Sequence, residues 1–209
     1  MQSLLLSEFR ARFPGPGHRY WYLSDGGHFD VAGVYELFRR RLPLIIAVSI
    51  DDGGLNNLEA VVRQVRNDFG ATLCFVAPEG EAGSIRFPDE VPKLVQDWFD
   101  PSAFGRLEQT GHGREKRAVL ARVTYEGSGM ESDAPEESWL VILRPTVIGD
   151  EPPDIVNYQR NHDSFPQETN YDQSFDKAKW ESYRILGEVT ALETVKNPRG
   201  IPDSLRAQS

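Results

Sequence analysis

The feature that most constrains this chain is the run Leu44-Ile45-Ile46-Ala47-Val48-Ser49-Ile50, which is apolar, β-branched and uninterrupted. Such a run reads as a strand covered on both faces, as in α/β sheets. Asp51-Asp52-Gly53-Gly54 breaks it. Leu58, Val61, Val62 and Val65 then recur at helical spacing, so a helix is expected over Leu58 to Phe69, with Gly70 as its C-cap. Thr72 to Val76 returns to strand character. Strand, helix, strand in this order predicts a wound, mostly parallel sheet.

The elements on either side extend this pattern. Residues 3–11 read as a short helix, and Pro14-Gly15-Pro16-Gly17 as a turn. Arg19 to Leu23 is a short aromatic strand. Val31, Val34, Leu37 and Phe38 predict a helix from about Val31 to Arg41, with Arg39-Arg40-Arg41 at its C-terminus, where cations suit the macrodipole. Pro78 to Pro92 is loop-rich, and Lys93 to Phe99 is a short helix. Ala118 to Tyr125 and Trp139 to Leu143 form a hairpin joined by the acidic stretch Glu126 to Glu137. Helices are expected over Asp154 to Arg160 and Phe175 to Val195. Residues 1–195 read as one domain and 196–209 as a polar tail.

Composition narrows the function classes. The 209 residues are 39% apolar and 26% charged, which favours a globular domain over disorder. The formal net charge of -9 argues against nucleic acid, whose phosphates select basic faces. The single cysteine, Cys74, cannot form an intrachain disulfide or a cysteine zinc site, and reads as a small buried strand residue. His18, His28, His112 and His162 show no metal spacing, so no metal is expected. No segment reaches the roughly 18 apolar residues of a membrane span, and a cytoplasmic location is expected.

Beyond these patterns, the string Arg19-Tyr20-Trp21-Tyr22-Leu23-Ser24-Asp25-Gly26-Gly27-His28-Phe29-Asp30, continued by Val34-Tyr35-Glu36-Leu37-Phe38-Arg39-Arg40-Arg41, resembles patatin-like phospholipases. The tail is similar to the large bacterial branch of that family. Its likeness lies in Gly149-Asp150-Glu151-Pro152, Asn161 to Thr169, Asp172-Gln173 and Glu181-Ser182-Tyr183-Arg184. The resemblance runs from about residue 7 to about residue 190. It implies an α/β fold, the C-terminal portion of a three-layer α/β/α sandwich. That fold would combine a mostly parallel sheet, a β-hairpin and C-terminal helices. It also implies lipid ester hydrolysis by a Ser-Asp dyad without a cofactor, with Asp25 as the carboxylate and Gly26, Gly27 and His28 positioning substrate or loop.

Local chemistry agrees with that implication. A serine hydroxyl is a poor nucleophile until a base takes its proton, and a carboxylate at the mouth of a strand can do so. Glycines after it allow a tight turn. An Asp here also serves as an ordinary helix cap. The sequence holds no G-x-S-x-G nucleophile elbow and no glycine-rich oxyanion segment. In the family both precede Asp-Gly-Gly. The expectation is therefore a C-terminal fragment, inactive alone. Its substrate would be a lipid ester once a missing N-terminal half, or a second polypeptide, completes it. Peripheral membrane association would come through that half. The rival is a non-catalytic α/β binding module. Asp52-Gly53-Gly54 reads as an acidic turn, and Ser174 as a capping serine ahead of Lys177 rather than half of a Ser-Lys pair.

Overall fold

The computed structural model describes residues 17, 30, 32–50, 56–81, 83–110, 115–126, 136–168 and 174–196. Several expectations lie outside those residues: the helix over 3–11, the strand Arg19 to Leu23, Asp51 to Gly54, most of the acidic hairpin loop, and the tail beyond Lys196.

The first described helix, α1 (Tyr35–Arg39), is shorter than its periodicity suggests. Val34 and Phe38 are buried in the core, and Glu36 sits in the first turn, where it accepts hydrogen bonds from Arg39 and Arg40. Those two guanidinium groups hold the Glu36 carboxyl down at about 2. Arg41 ends the helix at φ 49°, and its guanidinium lies 4.7 Å over the Tyr125 ring.

Strand β1 (Leu44–Val48) follows, then α2 (Asn56–Phe69) and β2 (Ala71–Val76). Leu58, Val61 and Val65 of α2 face the sheet, as their spacing requires. Gly70 closes α2 at φ 61°, its N–H donating to the Arg66 carbonyl at 3.1 Å. A Cβ there would meet the Glu126 Cβ at 3.0 Å. Gly70→Ala is accordingly expected to destabilise the chain by about 1–2 kcal/mol, the cost of a left-handed L-residue. A urea midpoint equal to that of the parent chain would contradict it.

The chain then crosses to the other face of the sheet through α3 (Lys93–Trp98) and two short 3-10 turns. It returns as β3 (Ala118–Tyr125) and β4 (Glu137–Leu143). The strand order is β1-β4-β3-β2. β1 pairs with β4 in parallel, from Leu44↔Trp139 to Val48↔Leu143. β4–β3 and β3–β2 are antiparallel. The expected mostly parallel sheet is therefore corrected to a mixed sheet with one parallel pair. β1 and β2 do run in the same direction, but the hairpin occupies the space between them. Periodicity locates strands without revealing which strand a later hairpin will separate.

Helices cover both faces. On one, α1 and α2 pack on Ile45, Ala47, Val119, Ala121, Leu140 and Ile142. On the other, Phe87, Val95, Phe99 and Phe104 cover Leu120, Trp139 and Val141. The last helices, α4 (Pro153–Asn161) and α5 (Lys177–Thr194), enclose a separate cluster of Val147, Ile155, Phe165 and Leu186.

Three further expectations change. β1 is not covered on both faces. It lies at the sheet's edge, with Ile46 46% and Val48 60% exposed. Cys74 is exposed rather than buried, because β2 is the opposite edge. The cap of α5 is Asp176, whose carboxylate accepts the Lys179 N–H at 2.8 Å, in place of Ser174. The helix begins at Lys177, so Asp176 rather than Ser174 stands at the cap position.

Candidate functional site

Asp25, Gly26, Gly27 and His28 lie outside the described residues. The described chain resumes at Asp30, the last residue of the motif string. Its Oδ2 accepts the Tyr35 N–H at 2.6 Å, while its Oδ1 is buried with no hydrogen-bond partner. This carboxylate ties the segment that follows Asp-Gly-Gly to the start of α1. Since Val34 and Phe38 anchor α1 in the core, the C-terminal flank of the motif rests on rigid scaffold.

The tail strings converge on two buried charges instead. Arg117 precedes β3 and is 1% exposed. Its guanidinium pairs with Glu193 of α5 and Glu151, and with Asp150 at 2.8 Å. Its Nε donates to the Thr146 carbonyl at 3.3 Å. Glu151 is fixed in turn: its two oxygens accept the N–H groups of Ile148 at 2.8 Å and Gly149 at 2.9 Å. One cation thus fastens the loop after β4 and the end of α5 to the sheet. A cleft of about 350 Å³ adjoins it, lined by Ser102, Ala103, Glu115, Lys116, Arg117 and Glu193. With the Arg117 side chain almost fully enclosed, its chemistry is cross-linking rather than ligand capture.

The second buried charge is Lys179, paired with Glu168 at 2.5 Å and lying 4.6 Å over the Phe175 ring. Tyr183 donates to the Pro166 carbonyl at 2.9 Å and is 3.3 Å from Glu168. Burial, with the Glu168 charge beside it, pushes the Tyr183 hydroxyl up to about 12. These contacts hold Phe165 to Glu168 against α5.

A polar cleft of about 390 Å³ runs between α4 and α5. His162 borders it, its ring stacked on Tyr158 at 3.9 Å and its Nδ1 2.9 Å from the Tyr158 carbonyl. Asp154, Asp176 and Glu181 also line it. Asp176 caps α5, and Glu181 is held below the usual carboxylate range by the Arg184 guanidinium. Among the described residues no group of His, Cys, Asp and Glu is placed to hold a metal ion. Nor is any described helix long and apolar enough to cross a membrane.

Sequence reading did not single out Arg117, Lys179 or Asp30. Arg117 sits in the polar string Glu115-Lys116-Arg117, where a surface position is the ordinary reading. Its signal was indirect: the Gly149-Asp150-Glu151 string supplies two of its carboxylates. No known protein family, curated protein or solved structure matches the chain.

Proposed function

We propose that this chain is the C-terminal part of a patatin-like serine acyl hydrolase, a three-layer α/β/α enzyme that cleaves lipid esters. The observation that carries the reading is the string from Arg19 to Asp30 with its Val34 to Arg41 flank. Its support in the fold is the seating of that flank: Asp30 holds the first amide of α1, and α1 is buried against the sheet. A carboxylate a few residues before such an anchor suits a catalytic role, since a general base has to be held in position.

In the assembled enzyme, a serine from polypeptide outside this chain attacks the acyl carbonyl while Asp25 accepts its proton. The oxyanion that forms is met by backbone N–H groups. Collapse of the intermediate expels the alcohol, which takes the proton back, and water then releases the acid by the same route. Gly26, Gly27 and His28 shape the approach. The acting protein is cytoplasmic, with peripheral membrane association through the serine-bearing part.

The test is p-nitrophenyl ester hydrolysis by the purified chain, alone and co-expressed with a polypeptide carrying G-x-S-x-G. The chain alone is expected to be no more active than its Asp25→Ala variant. Co-expression is expected to give turnover that Asp25→Ala abolishes. Turnover indifferent to Asp25→Ala would sink the assignment of that residue. A second reading, a non-catalytic α/β module that binds another chain, is favoured by the exposed Ile46 and Val48 of β1, the end strand of the sheet among the described residues.

A further inference from the structure

We propose that the cleft between α4 and α5 binds an alkylammonium group, with Asp154 and Asp176 as its counter-charges and Ser182 and His162 as acceptors of its N–H bonds. This inference stands independently of the hydrolase reading.

Helical spacing builds the cleft from two polar stripes. On α4, Asp154, Asn157, Tyr158 and Asn161 stand at i, i+3, i+4 and i+7, and so share one face. On α5, Ala178, Glu181 and Ser182 stand at i, i+3 and i+4. Both faces line the same cleft of about 390 Å³, which is the size of a small-molecule site. The apolar contact between the helices is centred on other residues, Ile155, Phe165 and Leu186.

Ser182 is the residue that points to a ligand. It is 5% exposed and lines the cleft, yet its hydroxyl makes no hydrogen bond among the described residues. A serine or threonine inside a helix can return its hydroxyl to the carbonyl one turn back. Thr190 and Thr194 of the same helix do so, at 2.8 and 2.7 Å. Ser182 does not, and its oxygen is left to the cleft. A polar atom in so enclosed a place is costly until something meets it.

His162 is the second directed group. Its ring stacks on Tyr158 at 3.9 Å, and its Nδ1 lies 2.9 Å from the Tyr158 carbonyl. A carbonyl only accepts, so Nδ1 carries the proton, and in the neutral ring Nε2 is left as an acceptor.

Charge fixes the class of ligand. Among the described residues no lysine or arginine lines the cleft. Glu181 is paired with Arg184 at 2.8 Å, but Asp154 and Asp176 have no cationic partner among the described residues. Asp176 gives one oxygen to the Lys179 N–H and keeps the other. The lining therefore offers acceptors and uncompensated negative charge, which a cation with several N–H donors complements. No described group of His, Cys, Asp and Glu is placed to hold a metal ion, so the charge is spread along a cleft and not focused on a point. A primary ammonium on a flexible aliphatic chain suits this shape: it brings three donors and a compact charge. Such a group comes from a free amine or from a lysine side chain.

The test is isothermal titration calorimetry on the full chain with putrescine, with Nα-acetyl-lysine methylamide, and with the uncharged diol of putrescine's length. Saturable one-to-one binding of at least one amine is expected, with none of the diol. Tighter putrescine assigns the site to a free amine, and tighter blocked lysine to a lysine side chain. Asp154→Asn should weaken binding about tenfold and Ser182→Ala severalfold, both with an unchanged far-UV spectrum. Glu59→Gln, which removes the same charge from α2, should leave binding as it was. Failure of both amines to bind, binding of the diol as tight as that of the amines, or equal weakening by Glu59→Gln and Asp154→Asn would each overturn the proposal.

Discussion

Replacing Arg117 with methionine is expected to cost about 3–5 kcal/mol, because it leaves the Glu151 carboxylate buried and uncompensated. Both groups are almost wholly enclosed, with side-chain exposures of 1% and 0%. The backbone N–H groups of Ile148 and Gly149 still reach Glu151, yet they carry no full charge to replace the guanidinium. In a domain of this size each kcal/mol lowers Tm by about 2–4 °C, so the shift is roughly 10 °C. The partners should not be equivalent. Glu193 is 39% exposed, and Glu193→Gln should cost about 1 kcal/mol or less, since water takes over its solvation. The double variant Arg117→Met/Glu151→Gln should recover part of the loss, because it removes the orphaned charge. Urea unfolding of the three variants measures this. An Arg117→Met cost under about 1 kcal/mol would mean the buried cation is not the fastener its contacts describe.

That hub marks the boundary of what the sequence discloses. Elements with a sustained apolar pattern were legible: α2 begins at Asn56 against an expected Leu58, and both strands of the hairpin fall within two residues of their expected ends. Local signals such as Gly70 are also readable, because the requirement for a positive φ is local. Neighbour relations are not local. Ile45 and Ile46 are identical side chains on one strand, yet Ile45 is buried under α1 and α2 while Ile46 is open on the opposite face, where the apolar cover stops short of this end strand. Cys74 differs from expectation for the same reason at the other edge. Arg117 looks like a surface residue until partners 33, 34 and 76 positions away close around it. For the candidate site, the Asp25-Gly26-Gly27-His28 string was read wholly from residue types. What the fold adds is the Asp30 anchor behind it, a contact between a turn and a helix start that no periodicity signals.

Phe165→Ala is expected to cost about 3–5 kcal/mol, and the loss should be confined to one part of the molecule. Phe165 is fully buried at the centre of the α4–α5 cluster. Its ring meets Tyr158 edge-on at 5.0 Å and Tyr183 at 4.9 Å, so truncation removes two aromatic contacts and leaves a cavity between the helices. This cluster shares no residue with the two that cover the sheet. The ties from α5 to the rest are mainly polar: the Arg117 pairs, the Thr194 carbonyl accepting from the Asp100 N–H at 2.9 Å, and the Lys196 N–H donating to the Trp98 carbonyl at 2.9 Å, with Val195 at the helix end the one side chain of the α5 terminus, among the described residues, packed on the cluster around Val95 and Phe99. Contacts of that kind hold position without sharing a core, so the helical pair can loosen while the sheet remains folded. Hydrogen exchange should therefore show α4 and α5 amides losing protection in Phe165→Ala while β3 and β4 keep theirs. Equal loss across strands and helices would instead make the tail and the sheet one cooperative unit, and the Arg117 cluster would then lie inside that unit and not at a seam.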